Sequence, residues 1–199
     1  MFEIAEYIGI IAFAMSGFFV AVRNKLDLLG ILIATFLTAL GGGILRDIAV
    51  DTRPYTFSSD LPAIIVISVM IIMILFKFHK KDSIENKPLF LLSDSIGLIS
   101  FSITGALIAI EYNFNLTGVL ALSFITAVGG GIARDIILNE VPFIFKTGFY
   151  GTISLLVGLI LFILDKFASI NFTTILIVFI LGVSLRLIAY YKKWSIPIL

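Results

Sequence analysis

The chain has 199 residues, of which 60% are hydrophobic and 14% charged, with a mean hydropathy of +1.15. Soluble domains average about 45–50% apolar and about 25% charged residues, so this composition predicts a protein of the lipid bilayer. The formal net charge of +1 and the lack of long runs of like charge argue against a nucleic-acid partner. With no cysteine and one histidine, the sequence offers no thiolate metal site or thiol nucleophile, and we expect no cofactor.

Seven apolar stretches are long enough to span a membrane, since a hydrocarbon core of about 30 Å needs about 20 helical residues. They cover residues 4–22, 28–50, 61–78, 89–110, 116–138, 148–164 and 172–191. The stretches are continuously apolar, whereas the strands of a porin-type barrel alternate, so the pattern indicates helices. The predicted fold class is an all-α integral membrane protein with seven transmembrane helices.

Lysine and arginine are distributed unevenly between the two sides that these spans define. Arg46 and Arg134 lie inside predicted spans and are left out of the count. The first side, which holds the N-terminus and the second, fourth and sixth connections, has only Arg53 and Lys166. The second side carries ten basic residues, namely Arg23, Lys25, Lys77, Lys80, Lys81, Lys87, Lys146, Arg186, Lys192 and Lys193. Because positive loops face the cytoplasm, we predict a cell-membrane protein with its N-terminus outside and its C-terminus in the cytoplasm.

An internal repeat at an offset of 88 residues relates the two halves of the chain. Between residues 8 and 57, 21 of 50 positions are identical to their partners without a gap. We predict two three-helix units, residues 1–88 and 89–168, followed by a seventh helix and C-terminus in residues 169–199. Because equivalent spans are three crossings apart, the second unit is inverted relative to the first, as in many transport proteins.

Each unit carries three consecutive glycines inside a span. They are Gly41, Gly42 and Gly43 in span two and Gly129, Gly130 and Gly131 in span five. A glycine costs about 1 kcal/mol relative to alanine in a helix, so the triplets predict a break or kink. Irregular backbone at membrane depth lines a path or is buried, and freed carbonyls can coordinate a cation. The alternative is that the glycines only let two helices pack closely.

An arginine and an aspartate follow each triplet, Arg46 and Asp47 in the first unit and Arg134 and Asp135 in the second. Ionisable residues inside spans are costly and normally face a polar cavity or each other. Adjacent helical residues do not face one another, so we predict reciprocal pairs across the pseudo-twofold axis, Arg46 with Asp135 and Arg134 with Asp47. The alternative is a static structural ion pair with no transport role.

Several hydroxyl residues in the spans are candidates for the lining of a path. Thr38 and Thr126 are repeat equivalents and lie one turn before their triplets, while Ser16 and Thr104 are a second equivalent pair. Most such hydroxyls bond only a backbone carbonyl of their own helix. Asp94, the equivalent of Glu6, is a candidate for guarding an entrance or for a solvated helix end.

The duplicated motif GGG-x-x-RD, at residues 41–47 and 129–135 and followed seven residues later by proline, resembles the prokaryotic branch of the trimeric intracellular cation (TRIC) channel family. Bacterial relatives of that family include proteins described as glycine transporters. The resemblance implies a homotrimer in membrane lipid, with a pore in each protomer lined by spans two and five kinked at the triplets. It also implies conduction of monovalent cations, potassium chiefly and sodium among the others.

Two functional classes remain open from the residues themselves. A channel needs weak binding along a continuous path, whereas a carrier for a small zwitterion such as glycine needs a closed pocket with partners for carboxylate and ammonium. No nucleophile, base and orienting residue converge, so we do not expect an enzyme. For a channel, Arg46 or Arg134 could block the pore and shift with voltage, each full charge being worth ~2.3 kcal/mol per 100 mV.

Overall fold

The computed structural model of the chain describes residues 2–80, 83–146, 149–167 and 169–194. Within these residues the secondary structure is helical, without strands. The α-helices are α1 (Phe2–Arg23), α2 (Leu28–Ala49), α3 (Tyr55–Ser58), α4 (Leu61–Leu75), α5 (Ser83–Glu111), α6 (Leu116–Ile137), α7 (Phe143–Lys146), α8 (Gly151–Phe167) and α9 (Phe172–Tyr191). One turn of 3-10 helix, Phe78–Lys80, follows α4.

Helix length supports a multi-pass membrane protein. Five of the described helices are long and apolar enough to cross a bilayer: Phe2–Arg23, Leu28–Ala49, Lys87–Glu111 within α5, Leu116–Ile137 and Phe172–Tyr191. The predicted third span ends earlier than expected, since α4 has 15 residues and rises about 22 Å. Helix α8 has 17 residues and starts at Gly151, while the predicted start at position 148 lies outside the described residues.

The connection between the third and fourth predicted spans, residues 79–88, is partly helical. Helix α5 already begins at Ser83 and runs through Pro88 for 29 residues. Positions 81 and 82, within the same connection, lie outside the described residues. The α5 helix is therefore longer at its N-terminal end than the hydropathy pattern predicts.

The duplication is visible in the local backbone. Asp27 and Asn115 begin α2 and α6 by accepting hydrogen bonds from amides three residues on, at 2.8 and 2.9 Å. Such side chains satisfy amides that have no partner in the first helical turn. Asp51 and Asn139, also 88 residues apart, both adopt positive φ after α2 and α6, at 56° and 55°. Equivalent residues therefore make equivalent turns.

The centre of the molecule is made by α1, α2, α5 and α6. Helices α1 and α5 pack on each other, and α2 packs on α6. Within the units, α1 packs on α2 and α5 packs on α6. The repeat equivalents Phe13 and Phe101 meet between α1 and α5, with ring centroids 5.3 Å apart. Helix α4 packs mainly on α1, whereas α9 packs on α5 and α8. The ninth helix therefore touches the second unit and gives it a neighbour that the first unit lacks.

Candidate functional site

The glycine triplets lie where α2 and α6 cross. A Cβ atom on Gly42 would overlap the carbonyl oxygen of Thr126, and one on Gly130 would lie 2.5 Å from the carbonyl oxygen of Thr38. A Cβ on Gly41 would be 3.0 Å from the Cα of Gly130. Because these are backbone contacts, the close approach of the two helices requires the absence of side chains here.

The expected break in the helices is wrong. Residues of both triplets are helical throughout α2 and α6, so no backbone carbonyl is freed by unwinding. The physical reason is that the missing side chains allow α2 and α6 to cross closely, while each helix keeps its own backbone hydrogen bonds. The packing alternative therefore accounts for Gly41, Gly42 and Gly130, and a smaller kink stays a prediction.

The third glycine of each triplet faces a charged group. A Cβ on Gly43 would be 3.3 Å from Oε1 of Glu6, and one on Gly131 would have no neighbour nearer than Nη2 of Arg134, at 3.9 Å. Gly129 differs, because its Cβ would meet the side chain of Leu45 at 2.6 Å. Gly43 and Gly131 thus leave room beside the two buried arginines.

The first charged group, which we call the outer cluster, is built around Arg46. Its Nε donates to Oδ1 of Asp47 at 2.8 Å, and its Nη1 donates to Oε2 of Glu6 at 2.6 Å and to Oγ1 of Thr104 at 3.3 Å. The Arg46 guanidinium also lies 5.1 Å from the ring centre of Phe2. Arg46 is 2% exposed, so two carboxylates compensate a charge that is removed from solvent.

The second group, the inner cluster, is built around Arg134. Its Nε donates to Oδ1 of Asp135 at 2.8 Å, and its Nη1 lies 3.4 Å from Oγ1 of Thr38, at the limit of a hydrogen bond. Nearby, the hydroxyl of Ser16 donates to Oδ1 of Asp94 at 3.1 Å. Arg134, Asp135 and Asp94 are all buried. Ser16 and Asp94 are the repeat equivalents of Thr104 and Glu6.

The predicted reciprocal pairs across the pseudo-axis are wrong. Each arginine instead pairs with the aspartate that follows it, Arg46 with Asp47 and Arg134 with Asp135. The Cβ atoms of neighbouring helical residues diverge, but the arginine side chain is long enough to bend back to the next carboxylate. Helix geometry fixes only the directions of the Cβ atoms and does not limit how far a long side chain reaches.

The aspartates also explain why proline follows at a fixed distance. Oδ2 of Asp47 accepts from the amide of Tyr55 at 2.9 Å, and Oδ2 of Asp135 accepts from the amide of Phe143 at 2.7 Å. These amides directly follow Pro54 and Pro142 and begin α3 and α7. Each aspartate therefore holds its arginine with one oxygen and the next short helix with the other.

Hydroxyl groups join the two units at these clusters. Thr38 and Thr126 bond carbonyls of their own helices, Ala34 at 2.7 Å and Leu122 at 2.6 Å. Thr38 in addition lies 3.4 Å from Nη1 of Arg134 of the other unit, whereas no hydrogen bond joins Thr126 to Arg46 in the described part of the chain. Thr104 and Ser16 bridge the units through Arg46 and Asp94.

Each cluster lines a cavity, and the two cavities differ in size. The outer cavity has a volume of about 300 Å³ and is lined by Glu3, Glu6, Arg46, Asp47, Arg53 and Tyr55 among others. The inner cavity has only about 10 Å³ and is lined by Thr38, Asp94, Gly131, Arg134, Asp135 and Tyr150 among others. The outer space is large enough for a small solute, whereas the inner one is about the size of a single water probe.

Residues 3–78 and residues 91–166 both match one family model, described as Glycine transporter. The UPF0126 membrane protein YvgT of Bacillus subtilis is 34% identical over 98% of this chain and 95% of its own length. The chain belongs to this glycine transporter (UPF0126) family. The second match lies 88 residues after the first at both ends, so the family unit occurs twice in the chain.

This UPF0126 member shares its fold with solved TRIC channels. A structure described as a structural basis for conductance through TRIC cation channels covers all of this chain, with 35% identity, 97% of its own chain covered and a TM-score of 0.87. A crystal structure of a prokaryotic TRIC channel in 0.5 M KCl matches with 26% identity over 98% of both chains and a TM-score of 0.88. The TRIC resemblance predicted from the sequence is confirmed, and these matches are channels, not enzymes.

Sequence analysis of this UPF0126 chain missed two residues of the clusters. Glu6 was noted only as the equivalent of Asp94, yet it forms the shortest ion pair with Arg46. Arg186 was counted among the cytoplasmic positive charges, but it lies inside α9 and is 1% exposed, so that assignment is wrong. Its position five residues before the end of the predicted seventh span was the available signal.

Proposed function

We propose that this protein is a passive channel for monovalent cations, chiefly potassium, with a pore in each protomer of a homotrimer. The similarity to TRIC cation channels along the whole chain supports this function. In this proposal, ions pass beside the crossing of α2 and α6, from the outer cavity to the inner one. The third glycines, Gly43 and Gly131, provide the space beside the arginines.

The supporting observation from this chain is the charge balance of the two cavities. The outer cavity is lined by three carboxylates, of Glu3, Glu6 and Asp47, against the guanidinium groups of Arg46 and Arg53. The inner cavity is lined by two carboxylates, of Asp94 and Asp135, against the guanidinium of Arg134. Each lining therefore has one more carboxylate than guanidinium, and an excess of acidic groups favours cations in a pore.

The topology in this proposal has seven crossings in two inverted units. Residues 1–88 and 89–168 form the units, and residues 169–199 add a seventh crossing and the C-terminus. An odd number of crossings with positive loops inside puts the N-terminus outside and the C-terminus in the cytoplasm. The two cavities then lie on opposite sides of the membrane, as a path through it requires. Helices α4 and α8, which are shorter than the bilayer core, would cross where the membrane thins locally.

A carrier for a small zwitterionic amino acid such as glycine is the second candidate. The description of the family as Glycine transporter favours it. The outer cavity, of about 300 Å³, also presents carboxylates and guanidinium groups together, which are the partners that an ammonium and a carboxylate need. Arg46 is already held by Glu6 and Asp47, so a bound carboxylate would have to displace one of them.

A paired flux experiment separates these two functions. Purified protein is reconstituted into liposomes, and potassium efflux and radiolabelled glycine uptake are measured on the same preparation, with protein-free liposomes as control. We expect potassium efflux that does not saturate and glycine uptake at the level of the control. Saturable glycine uptake without potassium efflux would replace the channel by the carrier, and activity in neither assay would contradict both.

A further inference from the structure

The Asp94 carboxylate in the inner cavity is buried, and one of its two oxygens makes no hydrogen bond of good geometry. Asp94 is 4% exposed, and its Oδ1 accepts from Ser16. Its Oδ2 has no hydrogen-bond partner in the described part of the chain. A buried carboxylate oxygen without a hydrogen-bond partner is energetically costly. This oxygen is therefore available to a partner that the described residues do not supply.

Arg186 on α9 is an unmatched cation near the same carboxylate. Its guanidinium stacks over the ring of Tyr150 at 4.7 Å, and its Nε and Nη2 have no hydrogen-bond partner among the described residues. Tyr150 lines the inner cavity together with Asp94 and is a hydrogen-bonding neighbour of its carboxylate, and the charges of Arg186 and Arg134 both act on that carboxylate. Arg186 thus attracts Asp94 without being locked to it by a short ion pair.

The packing of α9 explains how Arg186 reaches this position. Gly182 lies one helical turn before Arg186, on the same face of α9. A Cβ on Gly182 would be 3.0 Å from the side chain of Ile99 on α5. The missing side chain therefore lets α9 approach α5 closely, which places the next turn of α9, with Arg186, beside the helix that carries Asp94.

The outer cluster has no corresponding arrangement. There Glu6, with one methylene more than Asp94, bonds Arg46 directly at 2.6 Å. Asp94 makes no ion pair within 4.0 Å among the described residues, and α9 adds a basic residue only to the second unit. The half with the added arginine is also the half whose cavity measures only about 10 Å³.

We propose that Arg186 is a tethered cation that competes with a permeant monovalent cation for the carboxylate of Asp94. With Arg186 in place, its charge satisfies Asp94 electrostatically and the inner cavity stays too small for an ion. When Arg186 withdraws, the cavity widens and a monovalent cation takes its place beside Asp94. The inference rests on the proposed cation channel, and it assigns the added helix α9 the role of controlling the inner half of the path.

The test is the potassium dependence of thermal stability of the purified protein, measured at constant ionic strength with N-methylglucamine chloride as replacement. In Arg186→Gln, the competing charge is gone, and we expect the potassium concentration for half-maximal stabilisation to fall about tenfold relative to the unaltered protein. Arg186→Lys keeps the cation and is expected to stay within about threefold. Lys192→Gln removes an exposed charge at the end of α9 and serves as the matched control.

In the double variant Asp94→Asn with Arg186→Gln, the carboxylate is gone as well. The lower potassium midpoint expected for Arg186→Gln should therefore disappear. An unchanged midpoint in Arg186→Gln, or a gain that persists in the double variant, would overturn the inference. Because this readout measures binding, it is separate from the liposome fluxes: absent potassium efflux with the predicted midpoints would contradict the channel and leave the competition at Asp94 standing.

A second measurement covers the case in which Arg186→Gln folds poorly. The chain has no cysteine, so Ile132→Cys, in the lining of the inner cavity, gives a single reactive thiol. Modification of this thiol in the protein with Arg186 by a charged water-soluble reagent should be about tenfold faster in saturating potassium than in N-methylglucamine chloride, because a bound cation displaces Arg186 and widens the cavity. Equal rates in the two salts would contradict control of the inner cavity by residue 186.

Discussion

The outer and inner clusters are two copies of one arrangement of side chains, and they differ in one acidic residue and in the size of the cavity beside them. Both keep the arginine held by the following aspartate and the aspartate bonded to the first amide of a short helix. They differ in the second acidic residue, which is Glu6 in the outer cluster and Asp94 in the inner one. One cluster encloses about 300 Å³ and the other about 10 Å³. The scaffold is the same in both units, whereas the second acidic residue and the size of the cavity differ.

The largest expected effect is the loss of folded protein when the helix crossing is obstructed. In Gly42→Ala, the new Cβ would overlap the carbonyl oxygen of Thr126, a backbone atom that cannot rotate away. We expect a destabilisation of about 3 kcal/mol or more, with loss of monodisperse protein in detergent. Gly131→Ala is the control, since its Cβ meets nothing nearer than 3.9 Å. Equal stability of the two variants would contradict the crossing as described.

The two aspartates of the motif should differ in their importance. Asp135→Asn leaves Arg134 without a carboxylate in ion-pair contact among the described residues, and we expect a loss of about 3–5 kcal/mol. Asp47→Asn leaves Arg46 bonded to Glu6, so the loss should be about 1–2 kcal/mol. Thermal unfolding of the purified variants measures both. A loss in Asp47→Asn at least as large as in Asp135→Asn would show that Glu6 does not compensate.

The arginines should differ in their contribution to voltage dependence. Arg134 is held by one carboxylate and Arg46 by two, so Arg134 is the easier to displace in an electric field. A full charge crossing is worth ~2.3 kcal/mol per 100 mV, and a partial displacement correspondingly less. We expect Arg134→Gln to flatten the voltage dependence of open probability more than Arg46→Gln in bilayer recordings. Unchanged voltage dependence in both variants would dispose of gating by these residues.

The smallest expected effect concerns the hydroxyl that bridges the units at the outer cluster. Thr104→Val removes the 3.3 Å hydrogen bond from Arg46, and we expect a loss of about 1 kcal/mol in thermal unfolding. Thr35→Val is the matched control, since that hydroxyl bonds only the Ile31 carbonyl of its own helix. If Thr35→Val costs as much as Thr104→Val, the contact between the units adds nothing to stability.

The scaffold was predictable from the sequence because it is periodic and repeated. The apolar stretches predicted the long helices, and the 88-residue offset predicted two similar halves, in which the structure shows equivalent caps at Asp27 and Asn115. The glycine triplets predicted a special backbone site but left its nature open. Whether the glycines pack against a second helix or unwind their own depends on the atoms opposite them, here the Thr126 carbonyl. A single sequence contains no information on the distance between the two helices.

The partners of the charged residues were not predictable in the same way. Helix geometry argued against pairing of Arg46 with Asp47, but a long flexible side chain reaches atoms that its Cβ does not face. Arg186 was missed because its charge was attributed to the helix end, although Gly182 brings its turn of α9 against α5. Side-chain reach and the approach of a non-repeated helix are tertiary properties, so they appear only in the structure.

The most direct test of the central claim, a cation path made by the two cavities, is the reversal potential of single-channel currents. Purified protein is incorporated into a planar bilayer that separates two concentrations of potassium chloride. The account predicts discrete currents that reverse near the potassium equilibrium potential, because each cavity carries an excess of carboxylates. Currents that reverse near the chloride potential, or bilayers that remain silent with folded protein incorporated, would contradict it.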